Sequence, residues 1–377
     1  MASCDGPAAR AKIPGLDTAR VRTVTSTIVT VQKCGQGGRR VRHSFRRSAG
    51  NEAPMIVTGT TRQQTLDKLG YVVWKDLFDP PVDLLPLFDE YDALIDNVSA
   101  RLEIDGAIED RYTDLPLGRR VVRLGVETGG DIFRYTDICL PGARTTVDTP
   151  IHLGPAVFSL LTNPKLLDAV EHFIGPEILV HPVQHARMKP PQRLVPEELF
   201  YNTMISRTVW HQDQSVVHEA GDATEILTVW IPLTVANVET GCVVVVPGSH
   251  RDDLILHCLD TPKTKGLHIP EERVPPGAIP VEMDPGDVLF MHRRTVHSSL
   301  PNLSDDLRWS FDLRYSPVGA PTGRDWAPSF VARSRSAPES VVIGADEWRD
   351  MWLDIRDRIS REPPVSFRWD PDDLRCA

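Results

Sequence analysis

His211, Asp213 and His297 are the residues through which this chain could do chemistry. They lie in Trp210-His211-Gln212-Asp213 and in Thr295-Val296-His297-Ser298-Ser299. Two imidazoles and one carboxylate can hold a ferrous ion on one face and leave the opposite face open for a co-substrate and oxygen. Residues i and i+2 of a strand point the same way, so the spacing of His211 and Asp213 predicts a strand presenting both to one metal. His297 lies in a second strand pattern, and strands lining one barrel interior would bring it to the same ion. Arg308 follows eleven positions later, after the turn Pro301-Asn302-Leu303-Ser304-Asp305-Asp306, and opens the next strand. Beside the metal it would supply a fixed cation for the far carboxylate of 2-oxoglutarate. The charges of iron(II), Asp213, the 2-oxoglutarate dianion and Arg308 cancel, as a desolvated site requires, because a buried charge without a partner is costly.

Ser310 shares the face of Arg308 and is a candidate for the same carboxylate; Ser299 shares the face of His297. An HxD pair alone recurs by chance on surface strands, and a single distal His is weaker still. The combination carries the signal: HxD, a distal His after a Gly286-Asp287 strand start, and Arg308. The other histidines read differently. His250 follows a Pro-Gly-Ser turn and would hold that turn, and His218 is at most a pocket residue. Trp210 and Trp230 read as core packing.

These residues need a β scaffold. Strand patterns run through Tyr71–Trp74, Ile178–Met188, Ile226–Leu233, Val243–Val246, Ile279–Met283, Val288–Met291, Thr295–Leu300 and Trp309–Tyr315. Turn residues separate them at Glu239-Thr240-Gly241, Pro247-Gly248 and Asp284-Pro285-Gly286-Asp287. Many short strands with such turns predict a sandwich or barrel. Helical spacing marks a short segment at Thr65–Leu69 ended by Gly70 and an amphipathic helix over 83–104. A further helix opens at Asn163-Pro164 and closes at Gly175, and a last one spans about Ala345–Ile359.

The chain has 377 residues, is 41% hydrophobic and 25% charged, and has no apolar run long enough to cross a bilayer. Its net charge of −10 argues against nucleic acid as the main partner. Six cysteines, at 4, 34, 139, 242, 258 and 376, form no CxxC pair. A disulfide framework or zinc ribbon is not expected, and a cytoplasmic location is the default. Residues 1–54 differ from the rest, with ten Lys/Arg against three acids and no apolar periodicity. This basic leader reads as disordered, as an organelle transit segment, or as an artefact of a start placed upstream of Met55. Residues 55–377 are then one domain.

The run Trp210–Asp213, the segment Leu227–Thr234, the turn Gly241–His250, and His297–Ser304 with Arg308 resemble the phytanoyl-CoA dioxygenase family. The resemblance extends from about Thr60 to about Tyr315. It implies a mainly β fold with flanking helices around a double-stranded β-helix (jelly-roll, cupin-like) core. It also implies iron(II), 2-oxoglutarate and O2, with His211, Asp213 and His297 as ligands and Arg308 binding the co-substrate. Lys189, in Met188-Lys189-Pro190-Pro191, sits where the family often has a lysine on an early strand. Related halogenases lack the carboxylate ligand; Asp213 is present here, which favours hydroxylation. The family does not fix the substrate beyond a small molecule. The even positions after Arg308 are Ser310, Asp312 and Arg314. They read either as an internal ion pair or, with Arg324, as contacts to a polar substrate. Two rivals remain: a non-catalytic jelly-roll binding protein, and a cupin-type metal enzyme that does not use 2-oxoglutarate.

Overall fold

The computed structural model describes residues 61–142, 145–199, 205–259, 264, 266–362 and 368–376. The basic leader, its 1–54 boundary and Met55 lie outside the described residues. Helix α1 (Arg62–Leu69) begins on a capping box between Thr61 and Gln64 and ends at Gly70, whose φ of +79° suits glycine. A Cβ there would lie 2.5 Å from His250 Nδ1. Strand β1 (Tyr71–Trp74) follows at once. The helices α2 (Leu85–Ile104), α3 (Leu117–Glu127), α4 (Pro155–Leu161) and α5 (Pro164–Ile174) come before the remaining strands. These are β2 (Ile178–Val180), β3 (His185–Lys189), β4 (Leu227–Pro232), β5 (Val243–Val245), β6 (Ile279–Val281), β7 (Val288–His292), β8 (His297–Ser299), β9 (Arg308–Pro317) and β10 (Phe330–Arg333), with α6 (Ala345–Ile359) closing the series.

The strands form two antiparallel sheets. The larger has the order β1-β7-β4-β9-β2-β10, with β3 also paired to β9; the smaller has the order β6-β5-β8. Strand β9 organises the molecule, because its two faces have opposite character. Trp309, Phe311, Leu313 and Tyr315 are buried against the helical layer, where Trp309 meets Phe88 and Tyr91 at ring distances of 4.8 and 4.7 Å. Arg308, Ser310, Asp312 and Arg314 are equally buried on the other face, the one turned to the small sheet. Trp230, Leu289 and Met291 of the large sheet pack there against Val243 and Val245 of the small one. A polar strip between two sheets, opposite an apolar strip under helices, is what period-two alternation on one strand produces.

The single strand expected over Ile178–Met188 is two strands. Val180 opposes Tyr315 while His185 opposes Asp312, so extra residues are looped out around Pro182, which has no N–H for the ladder. Gln184 stitches this loop back by donating to the carbonyl oxygen of Arg314 at 2.8 Å. Helix α3 is an addition to the elements expected from the sequence. Its cationic, glycine-containing stretch hides an apolar face of Val121, Val122 and Leu124, and its buried Arg120 is held by Asp96 and Ser99. One covalent link also departs from expectation: Cys258 and Cys376 form a disulfide across 118 residues, whereas Cys139 and Cys242 are free and buried.

Candidate metal centre

His211, Asp213 and His297 converge, each offering one ligand atom within 4.8 Å of the others, and all three are buried. His211 Nε2 lies 3.6 Å from one Asp213 oxygen and His297 Nε2 lies 3.9 Å from the other. The backbone arrangement differs from the expected HxD strand. His211 makes only an isolated antiparallel bridge to His297, with N–H···O distances of 2.9 and 3.0 Å in the two directions. Asp213 then opens a short 3-10 turn, Asp213–Val216. The bridge to β8 aligns the two imidazoles, and the turn swings the carboxylate beneath them.

Both imidazoles are oriented for coordination. His211 Nδ1 is 2.9 Å from the carbonyl oxygen of Val209, and His297 Nδ1 is 2.9 Å from that of Thr295. Each Nδ1–H therefore donates to a carbonyl, leaving the Nε2 lone pair directed at Asp213, as metal-ligating histidines require. Burial, and then the neighbouring His211, push His297 down to about 4, so it is neutral and able to ligate near neutral pH.

Asp213 is held by two groups that sequence reasoning missed. Arg314 donates to one carboxylate oxygen and Thr228 Oγ1 to the other. Burial opposes ionisation of Asp213, but Arg314 and His297 outweigh it and hold the carboxyl well below its usual range. Arg314 also lies 3.5 Å from Asp312, and Asp312 takes Arg187 at 3.3 Å. The internal ion pair expected between Asp312 and Arg314 is thus part of a larger network reaching the candidate ligand itself. The register makes this legible: Arg314 lies opposite Thr228, and Arg187 opposite Ser310.

The second half of the site is cationic. Arg308 is 1% exposed and donates to Ser310 Oγ at 2.7 Å, with its guanidinium carbon 5.6 Å from the centroid of the Trp230 ring. Its Nε has no hydrogen-bond partner, and among the described residues no carboxylate lies within ion-pair distance of it. Burial, with Arg187 second, pushes it down to about 9. Lys189, directly opposite Arg308 in the β3–β9 register, is also 1% exposed. Its Nζ donates to Thr208 at 2.7 Å and Ser299 at 2.9 Å, both neutral hydroxyls. Burial and then Arg308 hold its ammonium well below the usual lysine range. Two adjacent buried cations lacking an acid are costly unless an anion joins them. A dicarboxylate whose far end meets Arg308 and whose near end reaches the metal fits this arrangement, and the His/Asp/His donor set fits a ferrous ion.

The other polar candidates fall away from the ligand cluster. His250 Nε2 lies 3.0 Å from the carbonyl oxygen of Asp67 and anchors α1, close to the turn-holding role expected of it. His218 engages through its backbone N–H, bonded to the carbonyl oxygen of Gly323. Arg324 is half-buried, stacks over Trp326 and donates through Nε to the carbonyl oxygen of Val216, three residues from Asp213.

The phytanoyl-CoA dioxygenase family model matches residues 128–310, a span that takes in all three candidate ligands and Arg308. Over that span this chain is similar to the phytanoyl-CoA dioxygenase family. Together with the His211/Asp213/His297 cluster, these similarities identify an oxygenase using iron and 2-oxoglutarate. Among curated proteins it is 29% identical over 282 residues to 1-deoxypentalenic acid 11-beta-hydroxylase of Streptomyces arenae, covering 71% of this chain and 95% of that one. It is 27% identical over 168 residues to human peroxisomal phytanoyl-CoA dioxygenase, covering 42% of this chain and 46% of that one. The chain thus spans nearly all of the first relative and about half of the second. Among solved structures, EvdO2 of Micromonospora carbonacea var. aurantiaca complexed with 2-oxoglutarate superposes with a TM-score of 0.43 at 22% identity, covering 73% of this chain and 100% of that one.

Proposed function

We propose that this chain is a phytanoyl-CoA dioxygenase family member that hydroxylates an unactivated C–H bond of a small organic molecule, releasing succinate and CO2. The reading takes residues 55–377 as the oxygenase domain, on a double-stranded β-helix core closed by the two sheets. The observation that carries it is the juxtaposition, between those sheets, of the His211/Asp213/His297 cluster with the acid-free cations Arg308 and Lys189.

His211, Asp213 and His297 would hold iron(II), which when bound supplies the oxygen chemistry coupled to decarboxylation of 2-oxoglutarate. Arg308 and Lys189 would clamp the co-substrate's far carboxylate, with Ser310 and Ser299 fixing those two cations in turn. Arg314 and Thr228 keep Asp213 ionised and aimed. The retained carboxylate at position 213 favours hydroxylation over halogenation. Val243 and Val245 of the small sheet and Trp230, Leu289 and Met291 of the large one exclude water from the interior. With Asp312 and Arg314 engaged in the internal network, Arg324 is the cation left to meet a polar substrate group near the site.

The test is a metabolite screen for substrate-dependent succinate release with iron(II), 2-oxoglutarate and O2. A hit whose product is one oxygen atom heavier is expected. A purified, iron-loaded protein that never converts 2-oxoglutarate to succinate, with or without candidate substrates, would favour the binding-protein or cupin-type alternatives instead. Among the described residues, no helix is long and apolar enough to cross a membrane.

A further inference from the structure

The C-terminal tail returns to the segment that carries two of the three candidate ligands. Trp369 Nε1 donates to the carbonyl oxygen of Ser215 at 2.9 Å, and Arg368 pairs with Asp222 at 2.7 Å. The Trp369 ring lies 5.2 Å from that of His257, at an interplanar angle of 36°. His257 is itself buried, and its Nε2 accepts the backbone N–H of Gln212 at 3.0 Å. Gln212 is the residue between His211 and Asp213. Its side chain is also engaged, accepting from the N–H of Ile255 at 2.8 Å, while His257 Nδ1–H donates to the carbonyl oxygen of the same Ile255. An unattached tail would fray, but here Cys376 is bonded to the fully buried Cys258, the residue after His257.

We propose that this C-terminal strap, locked by the Cys258–Cys376 bond, holds the His211–Asp213 limb in position to bind the metal, with Trp369 and His257 as positioning residues. The inference rests on the assignment of His211, Asp213 and His297 as the ligands. The physical reason is mechanical. Asp213 stands on a short 3-10 turn rather than in a ladder, so its backbone has few partners of its own. A grip on Gln212 from one side and on Ser215 from the other fixes the turn between them. Groups that orient metal ligands without touching the metal commonly change metal affinity by about 10–100-fold.

The experiment titrates the full chain with cobalt(II) under anaerobic conditions and reads both the midpoint and the visible d–d absorption, which reports ligand geometry. Wild-type protein, Trp369→Ala, Trp369→Phe, Cys376→Ser, His211→Ala and the control Trp348→Phe are compared. Trp369→Ala is expected to weaken cobalt binding by about tenfold and to alter the band, as loss of a ligand-orienting group does. Trp369→Phe keeps the ring stacked on His257 and is expected to recover part of the affinity. Cys376→Ser, which retains the Trp369 contacts, is expected to show a smaller loss. Trp348→Phe, in the helical layer, is expected to lower the melting temperature without moving the midpoint. An unchanged midpoint and band in folded Trp369→Ala overturn the proposal, as does a midpoint that moves equally in Trp348→Phe. Should Trp369→Ala not fold, an unchanged midpoint and band in Cys376→Ser overturn it. Loss of cobalt binding in His211→Ala alone leaves the ligand assignment standing while the strap proposal fails; wild-type protein that binds no cobalt removes the ligand assignment itself.

Discussion

Replacing Arg308 should separate stability from ligand binding, because among the described residues this guanidinium has no acid within ion-pair distance to neutralise it. Arg308 is 1% exposed, bonded to one hydroxyl, and faces Lys189, a second buried cation. Removing one partner of a buried, hydrogen-bonded charge pair costs about 2–5 kcal/mol. At 1.36 kcal/mol per decade, that predicts a fall in 2-oxoglutarate affinity of about 30-fold or more for Arg308→Ala. Lys189 remains to attract the dianion, which places the effect toward the lower end of that range. Arg308→Lys keeps the charge but loses the two-pronged geometry and should fall between the two. Arg308→Met fills much of the same volume without a charge. Because the buried guanidinium is uncompensated in the absence of 2-oxoglutarate, this variant should melt at the same temperature as wild type or higher. Wild-type protein should gain stability on adding 2-oxoglutarate with metal, and Arg308→Met should gain much less. The assay is a 2-oxoglutarate titration followed by turnover, paired with melting curves with and without co-substrate. An unchanged midpoint in Arg308→Ala, or a large drop in the melting temperature of ligand-free Arg308→Met, would show that Arg308 serves the fold rather than the co-substrate.

His211→Ala, Asp213→Ala and His297→Ala are each expected to abolish turnover while leaving circular dichroism unchanged; wild-type turnover in any one of them, with iron at modest excess, removes that residue from the site. Arg314→Leu leaves Asp213 and Asp312 buried without their shared cation and should cost about 3–5 kcal/mol in denaturant unfolding, with part of the loss restored by saturating divalent metal on Asp213. An equilibrium unfolding curve matching wild type would contradict that network. Lys189 gives a pH dependence: its ammonium is held low by burial and Arg308, and a bound dianion would raise it, so binding takes up a proton. Affinity for 2-oxoglutarate should therefore be greatest below the ligand-free pKa of Lys189 and fall as pH rises through it, and Lys189→Met should flatten the profile.

The site is more legible in the sequence than its supports are. The donor types and spacings of His211, Asp213, His297 and Arg308 point to one cluster because few other uses need that combination, and the three candidate ligands do converge. The element under Asp213 differs from the expected strand, since i and i+2 can share a direction in a bridge followed by a 3-10 turn as well as in a strand. Alternation along Arg308–Pro317 correctly places Asp312 and Arg314 inward. It does not show that Arg314 reaches Asp213, because that contact depends on how two strands and a turn meet in space. Lys189 is visible only through family resemblance; its pairing opposite Arg308 is a matter of register. Residues that act through contacts distant in sequence are silent: Thr228 on Asp213, His257 on Gln212, and the cysteine pair 118 residues apart. Helix α3 is hidden by its charge, because Arg120 is buried in an ion-paired network that periodicity of apolar residues does not register.

The central claim is that one cluster binds iron while the neighbouring cations bind 2-oxoglutarate at the same centre. Anaerobic visible spectroscopy tests it most directly. Iron(II) and 2-oxoglutarate together should give a weak charge-transfer band with wild-type protein, absent when either is omitted, lost in His297→Ala, and reached only at higher 2-oxoglutarate in Arg308→Ala. A wild-type protein that binds iron(II) but never develops the band, at any 2-oxoglutarate concentration, would contradict the account.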